Sequence, residues 1–123
     1  MRKTTPPDKQ RQKLDRLQAQ YEMLKQKLVE TGIALPGSVV KRSYRCGKPN
    51  CQCHQKSGKL HGPYNQWTRK VRGKTVGIRL ESSLVPLVKE WIRNARKMRR
   101  LITSLHRTAQ EMVEIQAEIK RKG

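Results

Sequence analysis

Three cysteines within eight positions are the residues of this sequence most able to do chemistry. Cys46, Cys51 and Cys53 lie in the run CGKPNCQC, and His61 opens the run HGPY that follows. Soft thiolates and an imidazole on a tight loop suit a tetrahedral zinc ion, with Zn–S bonds of about 2.3 Å and Zn–N bonds of about 2.0–2.1 Å. The spacing therefore predicts a Zn²⁺ site with Cys46, Cys51, Cys53 and His61 as its ligands.

The fourth ligand has two candidates, His61 and His54. His61 follows a loop long enough to fold back onto the cysteines, whereas His54 is adjacent to Cys53 and is less able to converge on the same ion, so we favour His61. Without a metal, the cysteines would be unrelated thiols, or one local disulfide with a spare thiol. Their clustering argues against coincidence, and their odd number argues against a secreted disulfide framework.

The predicted zinc is structural rather than catalytic. A hydrolytic zinc needs an open coordination position and a general base, usually a glutamate. Residues 36–80 contain no Asp or Glu, and the four predicted ligands already complete a tetrahedron. The chain also lacks a recognisable carboxylate pair, nucleophile–base set or phosphate loop, so we expect it not to be an enzyme. A structural zinc contributes about 10–16 kcal/mol to folding in zinc-finger peptides.

Charge is the strongest compositional signal. The chain carries 29 Lys and Arg against 9 Asp and Glu, a net charge of +20, and is only 4% aromatic with no Phe. Residues 36–80 hold 11 of the basic groups. Self-repulsion on this scale is relieved by a polyanion, which predicts DNA or RNA as the partner without deciding between them. A membrane surface is the weaker candidate because the basic residues are not paired with an apolar face.

The central segment supplies the first predicted phosphate-binding surface. Its basic residues are Lys41, Arg42, Arg45, Lys48, Lys56, Lys59, Arg69, Lys70, Arg72, Lys74 and Arg79. Tyr44, Tyr64 and Trp67 are interleaved with them, and aromatic rings stack on unpaired bases when they are exposed. We expect Trp67 and Trp91 to belong to the core, which leaves Tyr64 as the better stacking candidate.

The elements that must position these residues indicate an α+β fold in a single domain, 1–123. Residues 1–35 predict an N-terminal helix, from about Pro7 to Thr31. Residues 36–80 predict a zinc-bound β region: a three-stranded antiparallel sheet with a zinc knuckle. Its last two strands flank the hairpin turn at residues 71–74, and the apolar face given by Val76, Ile78 and Leu80 is expected to pack on a helix.

Residues 81–123 predict a long coiled-coil-like helix, from about Ser83 to Lys120. Apolar residues recur at alternating spacings of four and three. These positions are Leu84, Val88, Trp91, Ala95, Met98, Ile102, Leu105, Ala109, Met112, Gln116 and Ile119, and all but Gln116 are apolar. A helix of this length, about 57 Å, exceeds what the rest of the chain covers. We therefore expect a homo-oligomer or a helical protein partner, unless the helix frays or bends after Ala109.

The opposite face of this helix supplies the second predicted phosphate-binding surface. Arg93, Arg100 and Arg107 face away from the apolar positions, and Arg96, Lys97 and Arg99 flank them. Contacts from such a surface give affinity without sequence specificity.

The runs CGKPNCQC and HGPY, within about residues 37–92, resemble a family of short basic prokaryotic proteins of unknown function. The resemblance implies a metal knuckle and a context near mobile genetic elements or phage, and it implies no mechanism.

Together these features predict a non-catalytic, zinc-stabilised accessory protein that binds nucleic acid through its phosphates. The alternative is an oligomeric structural adaptor whose basic surface binds an acidic protein or a ribonucleoprotein. No apolar run approaches the ~20 residues of a membrane span, and the start of the chain lacks the apolar stretch of a signal peptide. We expect a cytoplasmic or nucleoid-associated location.

Overall fold

A computed structural model of the chain describes residues 6–55 and 58–122. Helix α1 spans Pro6–Glu30 and helix α2 spans Val85–Lys122. Between them lie strands β1 (Ser38–Tyr44), β2 (His61–Val71) and β3 (Lys74–Leu80), with 3₁₀ turns at Gln52–His54 and Ser82–Leu84. The predicted α+β class is confirmed: a three-stranded antiparallel sheet is preceded in the sequence by one helix and followed by another.

The sheet is antiparallel in the order β1-β2-β3. Trp67 of β2 lies opposite Val39 of β1 and Ile78 of β3. Pairing of β1 with β2 is irregular between Arg42 and Tyr44, where β2 carries one extra residue. The predicted hairpin turn joins β2 to β3: Arg72 and Gly73 have φ values of 50° and 80°, the left-handed pair required by a type I′ turn.

The chain divides into two compact units, each described by itself. One unit comprises residues 33–95, and the other comprises residues 1–32 with 96–123. Helix α2 is continuous and contributes to both. The single domain expected for residues 1–123 stays a prediction.

The unit of residues 33–95 joins the sheet to the first part of α2 through backbone and side-chain bonds. The Leu35 N–H donates to the Trp91 carbonyl at 2.9 Å, and Asn94 Nδ2 donates to the Ile33 carbonyl at 2.8 Å. Trp67 Nε1 donates to the Pro36 carbonyl at 3.0 Å. Segment 33–36 is therefore anchored to both elements.

The apolar face of β3 is open. Val76 is 39% exposed and Ile78 is 53% exposed, so the expectation that these two side chains pack on a helix was wrong. The apolar burial of this unit lies instead along α2, at Val88, Ile92 and Ala95.

In the other unit, α1 buries Leu17 and α2 buries Leu101, Leu105, Thr108 and Ile115. Residues from both helices, including Leu14, Gln18, Met112 and Gln116, line a common groove.

The buried positions of this part of α2 differ from the expected ones. Leu101 is 9% exposed, whereas the expected Ile102 is 41% exposed. Thr108 and Ile115 are likewise buried in place of Ala109 and Gln116. The alternating spacing was predicted, but three of its seven positions from Met98 onward were placed one residue too late.

Within the described ranges, neither helix is long and apolar enough to cross a membrane.

Candidate metal centre and basic surfaces

The loop between β1 and β2 positions the cysteine cluster. Cys46 lies two residues after the end of β1, Cys51 and Cys53 lie at the 3₁₀ turn, and His61 begins β2. Because Tyr44 pairs with His61 in the sheet, the two ends of the loop are held side by side. The 3₁₀ turn is closed by the His54 N–H, which donates to the Cys51 carbonyl at 3.1 Å, and the Cys51 N–H closes the preceding turn by donating to the Lys48 carbonyl at 3.1 Å.

Four ligand atoms converge there. The sulfurs of Cys46, Cys51 and Cys53 and a ring nitrogen of His61 all lie within 4.8 Å of one another. The Cys46 and Cys53 sulfurs are 3.6 Å apart, and Cys51 Sγ lies 3.2 Å from His61 Nε2. A tetrahedron with metal–sulfur bonds near 2.3 Å has edges of about 3.8 Å. The cluster therefore has the size and the donor set of a tetrahedral metal site.

His54 plays a different part. Its Nε2 lies 2.5 Å from the Cys46 carbonyl oxygen, in hydrogen-bonding geometry. The Cys46 N–H donates to Cys53 Sγ at 3.3 Å. The structure thus brings His61 to the three sulfurs and places His54 on the backbone beside them, where such bonds orient ligands.

The loop requires a glycine at position 58. Its N–H donates to the Gln55 carbonyl at 3.0 Å. A side-chain carbon built on Gly58 would overlap the Gln52 carbonyl oxygen. Any larger residue would push the 3₁₀ turn that carries Cys53 out of place.

The local environment shifts the pKa values of Cys51 and Cys53 in opposite directions. The backbone N–H of Cys53, and then the His61 ring, donate hydrogen bonds that lower the pKa of Cys51 from 9.0 to about 6. The lowered pKa favours the thiolate of Cys51, the form that binds metals. Burial disfavours the charged form of Cys53 and raises its pKa.

The cluster occupies the place of a hydrophobic core. Cys53 is 1% exposed, and no other side chain among the described residues of 33–80 is buried. A β region of this size without buried apolar residues lacks the driving force to fold alone. The buried part of this β region is therefore contributed by the cysteine cluster, through Cys53.

Most of the predicted phosphate-binding residues of the central segment are exposed. These are Lys41, Arg42, Arg45, Lys48, Lys59, Lys70, Arg72, Lys74 and Arg79. Arg69 is half-buried, and Lys56 lies outside the described residues. The two salt bridges found in the described part, Lys25–Glu22 and Lys122–Glu118, belong to the helices.

The strands divide these residues between two faces of the sheet. Register and alternation place Arg42, Lys70 and Arg79 on the same face as Tyr64. Lys41, Arg69 and Lys74 lie on the face of Trp67, where the Arg69 guanidinium is 4.5 Å from the ring centroid. The sequence had grouped them as one surface.

Tyr44 has the geometry of a stacking residue, although the sequence favoured Tyr64 for that role. Its ring stacks on His61 at 5.6 Å with planes 28° apart and meets Tyr64 at 5.6 Å. Tyr44 is 48% exposed. Tyr64, the favoured stacking candidate, is half-buried, with the Arg79 guanidinium 3.5 Å above its ring. The feature that identifies Tyr44 as a stacking residue is its position opposite His61, and this position is known only from the register of the strands.

The basic residues of α2 are also exposed. Arg93 belongs to the unit of residues 33–95, and Arg96, Lys97, Arg100 and Arg107 belong to the other unit. Between residues 91 and 110 this helix contains no acidic residue. Each part of the helix therefore presents uncompensated positive charge.

Residues 9–90 match the family described as Domain of unknown function (DUF6788). Neither curated proteins nor solved structures gave a match to the chain. The match agrees with the expected likeness to a family without an assigned function, whereas prokaryotic origin and proximity to mobile elements stay predictions. Since the matched region covers two-thirds of the sequence and includes the whole cysteine cluster, the chain belongs to the DUF6788 family.

Proposed function

We propose that this chain is a non-catalytic nucleic-acid-binding protein whose β region is held together by a structural Zn²⁺ ion. The observation that carries the proposal is the coincidence of two features in residues 36–80. An exposed sheet rich in Lys and Arg contains no carboxylate, and its only buried side chain in the described part belongs to the cysteine cluster.

The donor set supports zinc and a structural role. Three thiols and one imidazole match a Cys₃His site. Such soft ligands bind zinc in preference to hard cations. Four protein ligands would leave no open position for water. Because residues 36–80 contain no Asp or Glu, the carboxylate base that hydrolytic zinc sites usually use is missing from the same segment.

The charge distribution supports phosphate as the partner group. Arg and Lys side chains without neighbouring carboxylates are free to neutralise phosphates, and displaced counterions then drive binding. Basic residues on both faces of the sheet and along α2 can act in this way. Such contacts supply affinity rather than sequence recognition. DNA and RNA both satisfy the proposal.

The test is binding of zinc-loaded protein to duplex DNA, single-stranded DNA and structured RNA at several salt concentrations. If about 6–10 side chains meet phosphates, affinity falls about 10³–10⁵-fold between 50 and 200 mM salt. Absence of binding, or binding that is insensitive to salt, would contradict the proposal.

Two double variants distinguish binding by the sheet surface from a general effect of the net charge of the protein. Arg42→Glu with Lys70→Glu alters the sheet, and Lys13→Glu with Arg16→Glu alters exposed positions of α1. Both pairs remove the same amount of positive charge. We expect the sheet pair to weaken binding far more than the α1 pair, whereas equal losses would show that the sheet is not a binding surface.

The cellular location, the link to mobile elements and the oligomeric state are part of the same proposal. Nucleoid association, a cytoplasmic location and a link to a mobile element or phage are consistent with a phosphate-binding accessory protein. A homo-oligomer or a helical partner would cover the exposed apolar residues of α2, such as Ile102 and Val113.

A further inference from the structure

We propose that the sheet face bearing Tyr44 and Tyr64 binds unpaired bases, so that the preferred nucleic acid is single-stranded. This inference rests on the proposed function and specifies its substrate class. Tyr44 is the stacking ring, and the arginines beside it hold the flanking phosphates.

Tyr44 is exposed and yet fixed in orientation. Nearly half of the residue is open to solvent. His61 stacks on one side of the ring and Tyr64 meets it from the neighbouring strand, each with centroids 5.6 Å away. A ring held in this way loses little conformational entropy on binding a base, which favours stacking. Because His61 is also in the cysteine cluster, the same residue that would bind the metal supports the ring.

Positive charge surrounds this ring on the same face. Arg42 lies opposite Tyr64 in the β1–β2 pair and is exposed. The Arg79 guanidinium sits 3.5 Å above the Tyr64 ring. A strand of nucleic acid that stacks a base on Tyr44 would therefore place its backbone near two guanidinium groups, which bind phosphate with two parallel hydrogen bonds.

A groove beside Tyr64 suits a base edge. It has a volume of about 420 Å³ and is lined by residues that include Tyr64, Asn65, Arg79, Glu81 and Ser82. Asn65 and Ser82 offer both donors and acceptors, and Glu81 offers only acceptors when ionised. The carboxylate of Glu81 repels phosphate, so the groove favours the amino groups of a base over the backbone.

Stacking on this face selects against a duplex. In double-stranded nucleic acid the faces of the bases are already stacked on one another, so a tyrosine ring cannot reach them without unstacking. In a single strand the faces are available. The sheet therefore gains a contact with single strands that it does not gain with duplexes.

The test compares the zinc-loaded wild type with the variants Tyr44→Leu, Tyr44→Phe and Tyr21→Leu. Each protein is tested for binding to a single-stranded DNA, to a single-stranded RNA of the same base sequence and to the duplex form of the DNA. Tyr21→Leu is the matched control, since it removes a tyrosine from α1. We expect Tyr44→Leu to weaken single-strand binding by about 5- to 100-fold and to leave duplex binding unchanged. Tyr44→Phe and Tyr21→Leu should bind like the wild type.

Salt dependence provides a second readout. Loss of a stacking ring releases no counterions, so Tyr44→Leu should leave the slope of log affinity against log salt unchanged. Arg42→Gln should reduce that slope by about 1, because it removes one phosphate contact. Retained zinc and an unchanged melting temperature show that each variant is folded.

Wild-type protein gives a test that needs no folded variant. A 2-aminopurine base in the single strand should lose fluorescence on binding if it stacks on a ring. Unquenched fluorescence, or equal losses of single-strand and duplex affinity in Tyr44→Leu, would overturn the inference while phosphate binding stands. Absence of binding to every nucleic acid would overturn the proposed function itself. The DNA and RNA arms show which backbone the face accepts.

Discussion

At the scale of single residues, two histidines seven positions apart have different roles because of where their rings point. His61 Nε2 lies among the sulfurs of the cluster, and His54 Nε2 bonds to the backbone at Cys46. Spacing alone favoured His61 over His54 as the fourth ligand. The register of Tyr44 with His61 agrees with that choice, because the pairing brings the start of β2 to the cysteines.

Substitutions of these residues should therefore differ in kind. Cys53→Ser removes a buried ligand, so we expect the protein to lose bound zinc and the structure of its β region. His54→Ala removes one hydrogen bond, which costs about 0.5–1.5 kcal/mol, and should keep one zinc ion per chain. Zinc content and thermal melting of both variants check this. Loss of the ion from His54→Ala alone would show that the fourth ligand is His54.

At the scale of elements, the sequence predicted two helices and three strands in the order observed, and the predicted helix ends lie within two residues of the observed ones. Turn chemistry accounts for much of this success, since Arg72-Gly73 suits the left-handed turn that joins β2 to β3.

The buried face of α2 could not be predicted as well. Leu101 and Ile102 are both apolar, so the pattern fits either frame, and Ala109 looks a better core residue than Thr108. Thr108 is nevertheless buried because its hydroxyl donates to the Ser104 carbonyl at 2.9 Å. A polar side chain that satisfies its own hydrogen bond within the helix is invisible to an apolar pattern.

Neighbouring leucine and isoleucine residues test which face is buried. Leu101→Ala should lower the free energy of unfolding by about 2–5 kcal/mol, as expected for a buried leucine. Ile102→Ala should cost less than about 1 kcal/mol, because its side chain is exposed. Chemical denaturation of both variants measures the difference. A large cost at Ile102, with a fall in oligomer size, would instead indicate the predicted partner helix.

At the scale of the whole molecule, the chain combines a unit with apolar helix packing and a unit whose sheet lacks it. Leu17, Leu105 and Ile115 are buried in the unit of residues 1–32 and 96–123. In residues 33–80 the described part buries Cys53 alone. The two units should therefore depend on metal to different degrees.

Removal of metal should reveal that difference. A strong chelator should abolish the near-ultraviolet circular dichroism of the sheet aromatics, while most of the helical signal at 222 nm survives. Stoichiometric Zn²⁺ should restore the lost signal, and Mg²⁺ should not, because hard cations bind thiolates poorly. Complete loss of helix on chelation would show that one cooperative unit, rather than two, unfolds.

All four residues of the cysteine cluster fall between positions 46 and 61, so the site can close without any residue distant in sequence. Short loops close rapidly and at small entropic cost. During synthesis, the nascent chain would hold a complete coordination set before the ribosome had translated any of α2. Ion capture could thus give the emerging sheet a fixed point before the long helix is complete.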